Sequence, residues 1–358
     1  MDSGILHYEM PEDPVPHIEI AKALRAVKGI LPAADFERAR ELIDPSQHTA
    51  IGRAMDGLKE EDEFAVLCRL MGTATHMIRL DQTPVIPGDY IVPDFLARFQ
   101  PGFSLKGWSR DENAGFSCLI EVKATREKRF RIGGSLLQRR RNFAETFNLP
   151  LLFAVRFTSF GRNAMWIIKE DADRTMNRIE VRMQDLIDGA RCALWDEYFY
   201  LVYPGTYFQA SYSKEVSGIG VGHESYGNLC AFHIANRDKR LEFDARDGGM
   251  LNLFFEAYGL EEIDKGVEGA VTHVLYSPQL PTCAIADLIY RTNRAIGEST
   301  YDAQRLLRVS GKEEPAMVNR SMVESIAHYL VREDILGLIG FGDEASHLAK
   351  WRRYGGSR

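Results

Sequence analysis

The chain has 358 residues, 45% of them hydrophobic and 27% charged, and a formal net charge of −7 at pH 7. This composition is typical of a globular protein and excludes an intrinsically disordered chain, a collagen-like repeat, a coiled coil and a disulfide scaffold. The length predicts two or three domains.

Cysteine spacing and hydropathy indicate the compartment in which the protein works. The five cysteines lie far apart in sequence and include no CxxC pair, so neither a disulfide framework nor a zinc ribbon is indicated. The apolar stretches fall well short of the about 20 residues that a membrane helix needs, and the acidic N-terminus does not resemble a secretion signal. We therefore expect a soluble, cytoplasmic protein with no membrane partner.

Hydrophobic residues recur at helical spacing in the first part of the chain. The pattern predicts helices at 18–30, at 34–43 and from about 57 to 71, and Gly72 is a helix stop signal. Residues 1–55 are therefore interpreted as an N-terminal helical segment that precedes the core.

Strand-like and helical runs then alternate along residues 56–200. In chain order they predict strands at 90–99 and 117–125, a helix at 135–147, and strands at 151–160 and 164–170. This order indicates an α/β core with a central mixed sheet flanked by helices. The turn-rich segment at 100–115 is expected to form a long hairpin loop or an inserted ribbon.

Residues 201–358 begin rich in strands and become helical toward their end, notably at 284–296 and 317–338. We expect an α+β accessory domain here, with its boundary near residue 200. Dimerisation, target recognition and effector sensing are all open as its role.

Three ionisable residues on two predicted strands form the candidate catalytic group. Asp94 lies at the end of the first strand, and Glu121 and Lys123 lie two apart on the second. Residues two apart in a strand project to the same face, so Glu121 and Lys123 project together. If the two strands are neighbours, Asp94 meets them, and two carboxylates and an ammonium surround one point.

Two carboxylates that converge repel each other unless a cation separates them. Oxygen ligands of this kind suit Mg²⁺, with Mn²⁺ expected to substitute, and such an ion can polarise a phosphoryl oxygen or activate a water molecule. Lys123 is placed to orient or deprotonate the attacking water, or to offset charge on the phosphate. These residues therefore provide the parts for phosphodiester hydrolysis.

A strongly basic segment follows directly, although the whole chain is acidic. Between residues 122 and 141 the sequence has eight basic residues and one acid, which marks one face for an anionic partner. We expect a flexible loop that closes over a nucleic-acid backbone, and two phosphate contacts from a helix whose three consecutive arginines cannot share one face. The loop residues are Arg126, Lys128, Arg129 and Arg131, the helix residues are Arg139 and Arg140, and Arg141 is assigned to the ordinary surface.

The motif Pro93-Asp94, 26 intervening residues and then Glu121-Val122-Lys123 resembles that of the PD-(D/E)xK nuclease superfamily. The superfamily includes restriction endonucleases, archaeal Holliday-junction resolvases and RecB-type nucleases. The resemblance implies a restriction-endonuclease-like core and a Mg²⁺-dependent endonuclease acting on DNA, in which Asp94 and Glu121 bind the metal. A homodimer is expected, since cutting both strands of a duplex needs two sites.

The resemblance implies two further site residues. Glu63 stands nine residues before Gly72, as a helical glutamate of the resolvases stands before a glycine, and it would be a third metal ligand with Glu60 as its substitute. Gln138 stands where RecB-type members have a glutamine on the helix after ExK. The aromatic residue usual four positions after that glutamine is replaced here by Asn142.

Each of these residues also has an ordinary structural interpretation. Asp94 would cap a turn, Glu121 and Lys123 would form a surface ion pair, and Glu63 and Gln138 would be solvated helix residues. Two alternative functions are open as well. One is a catalytically inactive nucleic-acid-binding module, and the other is a regulatory protein-interaction factor on the same fold.

Overall fold

A computed structural model divides the chain into two units, Met1–Glu61 and Asp62–Arg358. The residues that it describes are 17–28, 30–43, 46, 48–82, 86, 88–99, 116–160, 166–182, 185, 194–195, 197–216, 221–296 and 317–340. The hairpin or ribbon predicted at 100–115 lies outside these residues.

Helices form the described part of the first unit. They are α1 (His17–Lys28), α2 (Ala33–Glu41) and the beginning of α3 (His48–Met71), which continues into the second unit. Their apolar core includes Leu24, Ile51 and Leu58. α3 begins earlier than its periodicity predicts, because the burial of Ile51 and Leu58 outweighs the low helix propensity of the glycines between them. Gly72 ends α3 with a φ of +68°, a left-handed conformation that glycine adopts without steric cost.

A five-stranded mixed sheet is the framework of the first part of the second unit. The strands of this part are β1 (Ala74–Arg79), β2 (Phe95–Phe99), β3 (Phe116–Thr125), β4 (Arg129–Gly133), β5 (Leu151–Phe157), β6 (Trp166–Glu170) and β7 (Arg178–Arg182). The sheet has the order β1-β2-β3-β5-β6. β3 and β5 are parallel, and the other neighbouring pairs are antiparallel. The predicted α/β class with a mixed sheet is therefore confirmed.

Alternation along β3 assigns its residues to the two faces of this sheet. Ile120 and Val122 belong to an apolar cluster that contains Phe64 and other residues from the C-terminal part of α3. Leu119 belongs to a second cluster with Leu137 of α4 (Gly134–Thr146). The odd-numbered residues of β3 therefore project toward the α4 face.

Three strands of this part, β1, β4 and β7, are absent from the sequence prediction. β1 lies at the edge of the sheet and is mostly exposed, so it lacks the buried alternation that a pattern could reveal. β4 pairs antiparallel with β7, so the flexible loop predicted over Arg129 and Arg131 is wrong for these residues. Ile132 is buried against the apolar residues of β7, and the two arginines alternate to the exposed side.

Two further sheets and three helices complete the described part of the second unit. Their elements are β8 (Tyr198–Val202), β9 (Tyr207–Ser213), β10 (Gly222–His223), β11 (Gly227–Ala235), β12 (Arg240–Asp244), α5 (Ala245–Glu256), β13 (Leu260–Glu268), β14 (Val271–Pro278), β15 (Thr282–Ala284), α6 (Ile285–Ile296), α7 (Arg320–Arg332) and β16 (Leu336–Gly340). One sheet has the order β10-β11-β9-β14-β13 with β12 on β11, and the other has the order β15-β8-β16. The domain boundary near residue 200 stays a prediction.

The helix predicted at 317–338 is too long. α7 ends at Arg332, and Asp334 then takes a left-handed φ of 57° that directs the chain into β16. The apolar run after α7 is therefore a strand and not a continuation of the helix. None of the helices in the described part of the chain combines the length and the apolar character required to cross a membrane.

The described cysteines are free thiols with very different exposure. Cys68, Cys118 and Cys283 are buried, and Cys230 is half-buried. Burial raises the pKa of Cys68 to about 12 and raises the pKa of Cys118 well above its usual value. Because the thiolate is the reactive form, we expect iodoacetamide to alkylate Cys230 in the native protein and the three buried cysteines only after denaturation. Peptide mass spectrometry measures this, and rapid native labelling of Cys68 would contradict the packing described here.

Candidate active site

Pairing of β2 with β3 brings Asp94 beside Glu121. Phe95 is opposite Ile120 in this antiparallel pair, so the register, continued by one residue, sets Asp94 opposite Glu121. The backbone N–H of Val122 donates to Asp94 Oδ2 at 2.6 Å and fixes the carboxylate at this position. Asp94 thus lies immediately before β2, which begins later than the strand predicted from residue 90.

Lys123 joins the two carboxylates. Its Nζ lies 2.6 Å from Glu121 Oε1 and 3.9 Å from Asp94 Oδ2. The same ammonium donates to the Val122 carbonyl at 3.0 Å. The distance between Asp94 Oδ2 and Glu121 Oε1 is therefore no greater than the sum of these two distances. The structure brings Asp94, Glu121 and Lys123 together beside the α4 face of the sheet.

The two carboxylates of this group are buried, whereas the Lys123 side chain is 33% exposed. Asp94 and Glu121 are each 1% exposed. Burial by itself raises the pKa of Glu121, but Lys123 and Arg140 outweigh burial and hold that pKa below its usual value. Burial likewise lowers the pKa of Lys123, and the two carboxylates reverse this effect and raise it. A surface ion pair, the ordinary interpretation of Glu121 and Lys123, does not fit this burial.

The structure adds two residues to the group. Arg140 of α4 lies with Nη2 2.6 Å from Glu121 Oε1, and its side chain is 11% exposed. Gln82, which follows β1, donates from Nε2 to Asp94 Oδ1. The sequence pattern assigns Arg140 to a DNA backbone contact, whereas the structure holds it against the carboxylate of Glu121. Nothing in the sequence pattern indicates Gln82, because the pattern does not predict the strand β1 that precedes it.

Glu63 lies with the residues on the α3 side of the sheet. It is 3% exposed, and its neighbour Phe64 packs in the cluster of Ile120 and Val122. The pKa of Tyr290 is raised first by burial and then by the Glu63 carboxylate. Among the described residues, no three His, Cys, Asp or Glu side chains are grouped so that they could hold a metal ion. The role of Glu63 as a third metal ligand therefore has no support among the described residues, and that of its substitute Glu60 stays a prediction.

Gln138 is also outside the group. It is exposed and donates to Asn142 Oδ1, one turn later in α4, at 3.0 Å. Residues two apart on a helix do not face the same way, so Arg140 reaches Glu121 while Gln138 stays on the helix surface. The role that the resemblance implies for Gln138 has no support in this geometry.

The donor set fits a hard divalent cation. Glu121 Oε1 accepts from both cations, whereas Glu121 Oε2 is buried and has no hydrogen-bond partner among the described residues. A buried carboxylate oxygen without a partner is costly unless a ligand meets it. Magnesium is commonly bound by one or two carboxylates and keeps several waters. Asp94 and Glu121 are therefore the side chains that would hold Mg²⁺ or Mn²⁺.

The predicted loop contacts form an exposed basic surface near β4. Arg126, Lys128 and Arg129 line an open depression of ≈ 620 Å³ together with Arg182 of β7. Arg131 instead pairs with Glu180 at 2.5 Å. Hydrogen bonds from Arg131 and Arg182 lower the pKa of Glu180 to about 2, so this carboxylate stays ionised and offsets part of the positive charge.

The consecutive arginines of α4 have three different partners. Arg139 lies 3.4 Å from Asp89 and donates to the Tyr90 carbonyl, and Arg140 contacts Glu121. The assignment of Arg141 to the ordinary surface is wrong. Arg141 is 4% exposed, because its guanidinium binds both carboxylate oxygens of Asp171 at 2.7 and 2.6 Å.

Comparison with known proteins adds little to this geometry. No family model matches the chain, and no curated protein matches it. The solved structure of Archaeoglobus fulgidus Hjc, a Holliday junction resolvase from an archaeal hyperthermophile, is similar to this chain at 19% sequence identity and a TM-score of 0.25. The match covers 37% of this chain and 87% of that one. A TM-score of this size does not establish a shared fold, so the site is interpreted from its own residues.

Proposed function

We propose that this protein is a metal-dependent endonuclease that hydrolyses DNA phosphodiester bonds. Asp94 and Glu121 would hold Mg²⁺, and Lys123 would assist the attacking water. The observation that carries the proposal is the position of Lys123 Nζ, 2.6 Å from one buried carboxylate and 3.9 Å from the other. Because cutting both strands of a duplex needs two such sites, we also propose a homodimer.

The sheet around the site supports a restriction-endonuclease-like core as part of this proposal. β2 and β3 are antiparallel neighbours, and β3 is parallel to β5. α3 and α4 share apolar clusters with opposite faces of β3. Glu121 and Lys123 therefore lie on a central strand and Asp94 lies immediately before the neighbouring strand. Burial of the two carboxylates strengthens their charge interactions.

Each side chain of the group has a definable task. A bound Mg²⁺ supplies Lewis acidity and positive charge beside a phosphoryl oxygen. Asp94 is already oriented by the Val122 N–H and by Gln82, and its carboxylate would be one ligand of the ion. Glu121 offers Oε2, its oxygen without a hydrogen-bond partner in the described part of the chain. Lys123 can donate to the attacking water or to the charge that develops on the phosphate.

The basic surface supplies contacts for an anionic polymer. Arg126, Lys128 and Arg129 belong to the same segment that begins with the candidate catalytic strand and turns into β4. Contacts of this kind neutralise phosphates and release counterions, so the affinity for DNA should fall as salt rises. The net acidity of the remaining chain does not oppose this, because screening confines charge effects to about 10 Å at 0.1 M salt.

A catalytically inactive DNA-binding module on the same fold is the second candidate function. It is favoured by the contacts of Glu121 Oε1 with both Lys123 and Arg140, since these cations already neutralise the carboxylate. Such a module would bind DNA in a salt-dependent way without cutting it.

Metal-dependent cleavage is the direct test of the proposal. Plasmid DNA and labelled DNA and RNA oligonucleotides would be incubated with Mg²⁺, Mn²⁺ or EDTA. We expect DNA cleavage with either metal and none in EDTA. The Asp94→Asn variant, purified in the same way, should be inactive and controls for a contaminating nuclease. Salt-dependent binding without cleavage would favour the inactive module, and the absence of binding would favour a protein-interaction factor.

A further inference from the structure

Arg140 and Glu121 form an incomplete ion pair. Arg140 Nη2 lies 2.6 Å from Glu121 Oε1, while Arg140 Nε and Glu121 Oε2 are both buried without a hydrogen-bond partner among the described residues. A side-on pair would use two guanidinium N–H groups and both carboxylate oxygens. Within this one contact, a guanidinium N–H donor and a carboxylate oxygen acceptor therefore both lack a partner among the described residues.

The next residue of α4, Arg141, forms a complete pair with a different buried carboxylate. Arg141 uses Nε and Nη2 on the two oxygens of Asp171, and Arg141 Nη1 donates to the carbonyls of Arg174 and Met176. Among the described residues, Arg140 Nη1 donates only to the Leu136 carbonyl of its own helix, at 3.0 Å. Compared with Arg141, Arg140 is held by few contacts and can be released at a smaller cost.

The charge balance of the group sets a condition on metal binding. Asp94 and Glu121 meet Lys123 and Arg140, so two formal negative charges face two formal positive charges. A divalent cation on Glu121 would add two positive charges close to a guanidinium that occupies the same carboxylate. Two cations on the same buried carboxylate repel each other strongly, so the Arg140 guanidinium opposes binding of the metal ion.

We propose that Arg140 is a resident competitor for the metal at Glu121, which it neutralises in the metal-free protein and leaves when the ion binds. The proposal rests on the proposed function for the identity of Glu121 as a metal ligand. Arg140 is the member of the pair that moves, because Glu121 belongs to the central strand β3 and is also held by Lys123. Binding of the ion and release of Arg140 are then reciprocally coupled.

Titration of the metal-free protein with Mn²⁺ in the absence of DNA tests this coupling. Arg140→Met removes the guanidinium and keeps an unbranched apolar side chain. We expect this variant to bind Mn²⁺ about tenfold more tightly than the wild type, a factor within the usual range of coupling between sites. Arg140→Lys keeps a cation and should bind Mn²⁺ as the wild type does. Isothermal titration calorimetry gives the affinities, and electron paramagnetic resonance of free Mn²⁺ checks them.

Two control variants separate this effect from changes in net charge or folding. Arg174→Met removes an exposed cation that pairs with Glu145, and it should leave the Mn²⁺ affinity unchanged. Adding Glu121→Gln to Arg140→Met should abolish the gain, because the freed carboxylate is the source of the tighter binding. Circular dichroism verifies folding, and Arg140→Gln replaces Arg140→Met if the latter does not fold.

The outcomes distinguish this proposal from the nuclease function. An Arg140→Met affinity for Mn²⁺ that is equal to or weaker than that of the wild type overturns the role of Arg140, whether or not the protein cuts DNA. A tighter Mn²⁺ affinity in a protein that cuts no nucleic acid keeps the role of Arg140 and removes the nuclease function.

Discussion

Alanine at Lys123 is expected to slow DNA cleavage by about 10²- to 10⁴-fold, the range associated with a positioned proton donor or charge stabiliser. The ammonium contacts Glu121 Oε1 at 2.6 Å and lies 3.9 Å from Asp94. Its loss removes a donor to the water or the phosphate and leaves both candidate metal ligands in the chain. Arg140 still neutralises Glu121 in the variant, so the fold should tolerate the change. Single-turnover cleavage of a labelled duplex in saturating Mg²⁺ measures the effect.

Two further measurements decide whether the loss is chemical. DNA affinity of Lys123→Ala, measured by fluorescence anisotropy, should stay close to that of the wild type, because a defect limited to the chemical step leaves binding intact. Lys239→Ala removes a surface ammonium that pairs with Glu333 at 3.3 Å, and it should cut DNA at the wild-type rate. A loss below tenfold for Lys123→Ala would assign Lys123 to a structural counter-ion role.

The part of the site that lies within one strand could be predicted from the sequence. Glu121 and Lys123 are two apart in a strand, so their common face follows from backbone geometry alone. The convergence of Asp94 with them required only that two consecutive strands pair, which consecutive strands commonly do. The Val122 N–H and Gln82 that orient Asp94 could not be predicted, because such contacts depend on the path of the loop after β1.

Helical contributions to the site could not be predicted, because sequence spacing does not say which face of a sheet a helix covers. Glu63 has the spacing expected of a ligand, yet α3 packs with Ile120 and Val122 on the other face. Gln138 and Arg140 are both on α4, and its rotation about its own axis decides which of them meets Glu121.

A period-2 alternation of arginines with Phe130 and Ile132 was available as a signal for β4.

Replacing Arg141 by methionine is expected to lower the free energy of unfolding by about 3–5 kcal/mol, the usual cost of breaking a buried ion pair. The substitution leaves the Asp171 carboxylate buried without the guanidinium that binds both of its oxygens. It also removes the donor to the carbonyls of Asp173, Arg174 and Met176, which hold the connection between β6 and β7. Urea unfolding followed by circular dichroism measures the loss.

The Asp171 carboxylate, which Arg141→Met leaves buried without its guanidinium, should account for much of the destabilisation. Adding Asp171→Leu removes the uncompensated carboxylate, so the double variant should regain part of the lost free energy of unfolding, while the three carbonyls still lack their donor. Arg174→Met breaks an exposed pair with Glu145 and should cost less than about 1 kcal/mol. If Arg141→Met were no more destabilising than Arg174→Met, Arg141 could not be the buried connector that joins α4 to the β6–β7 turn.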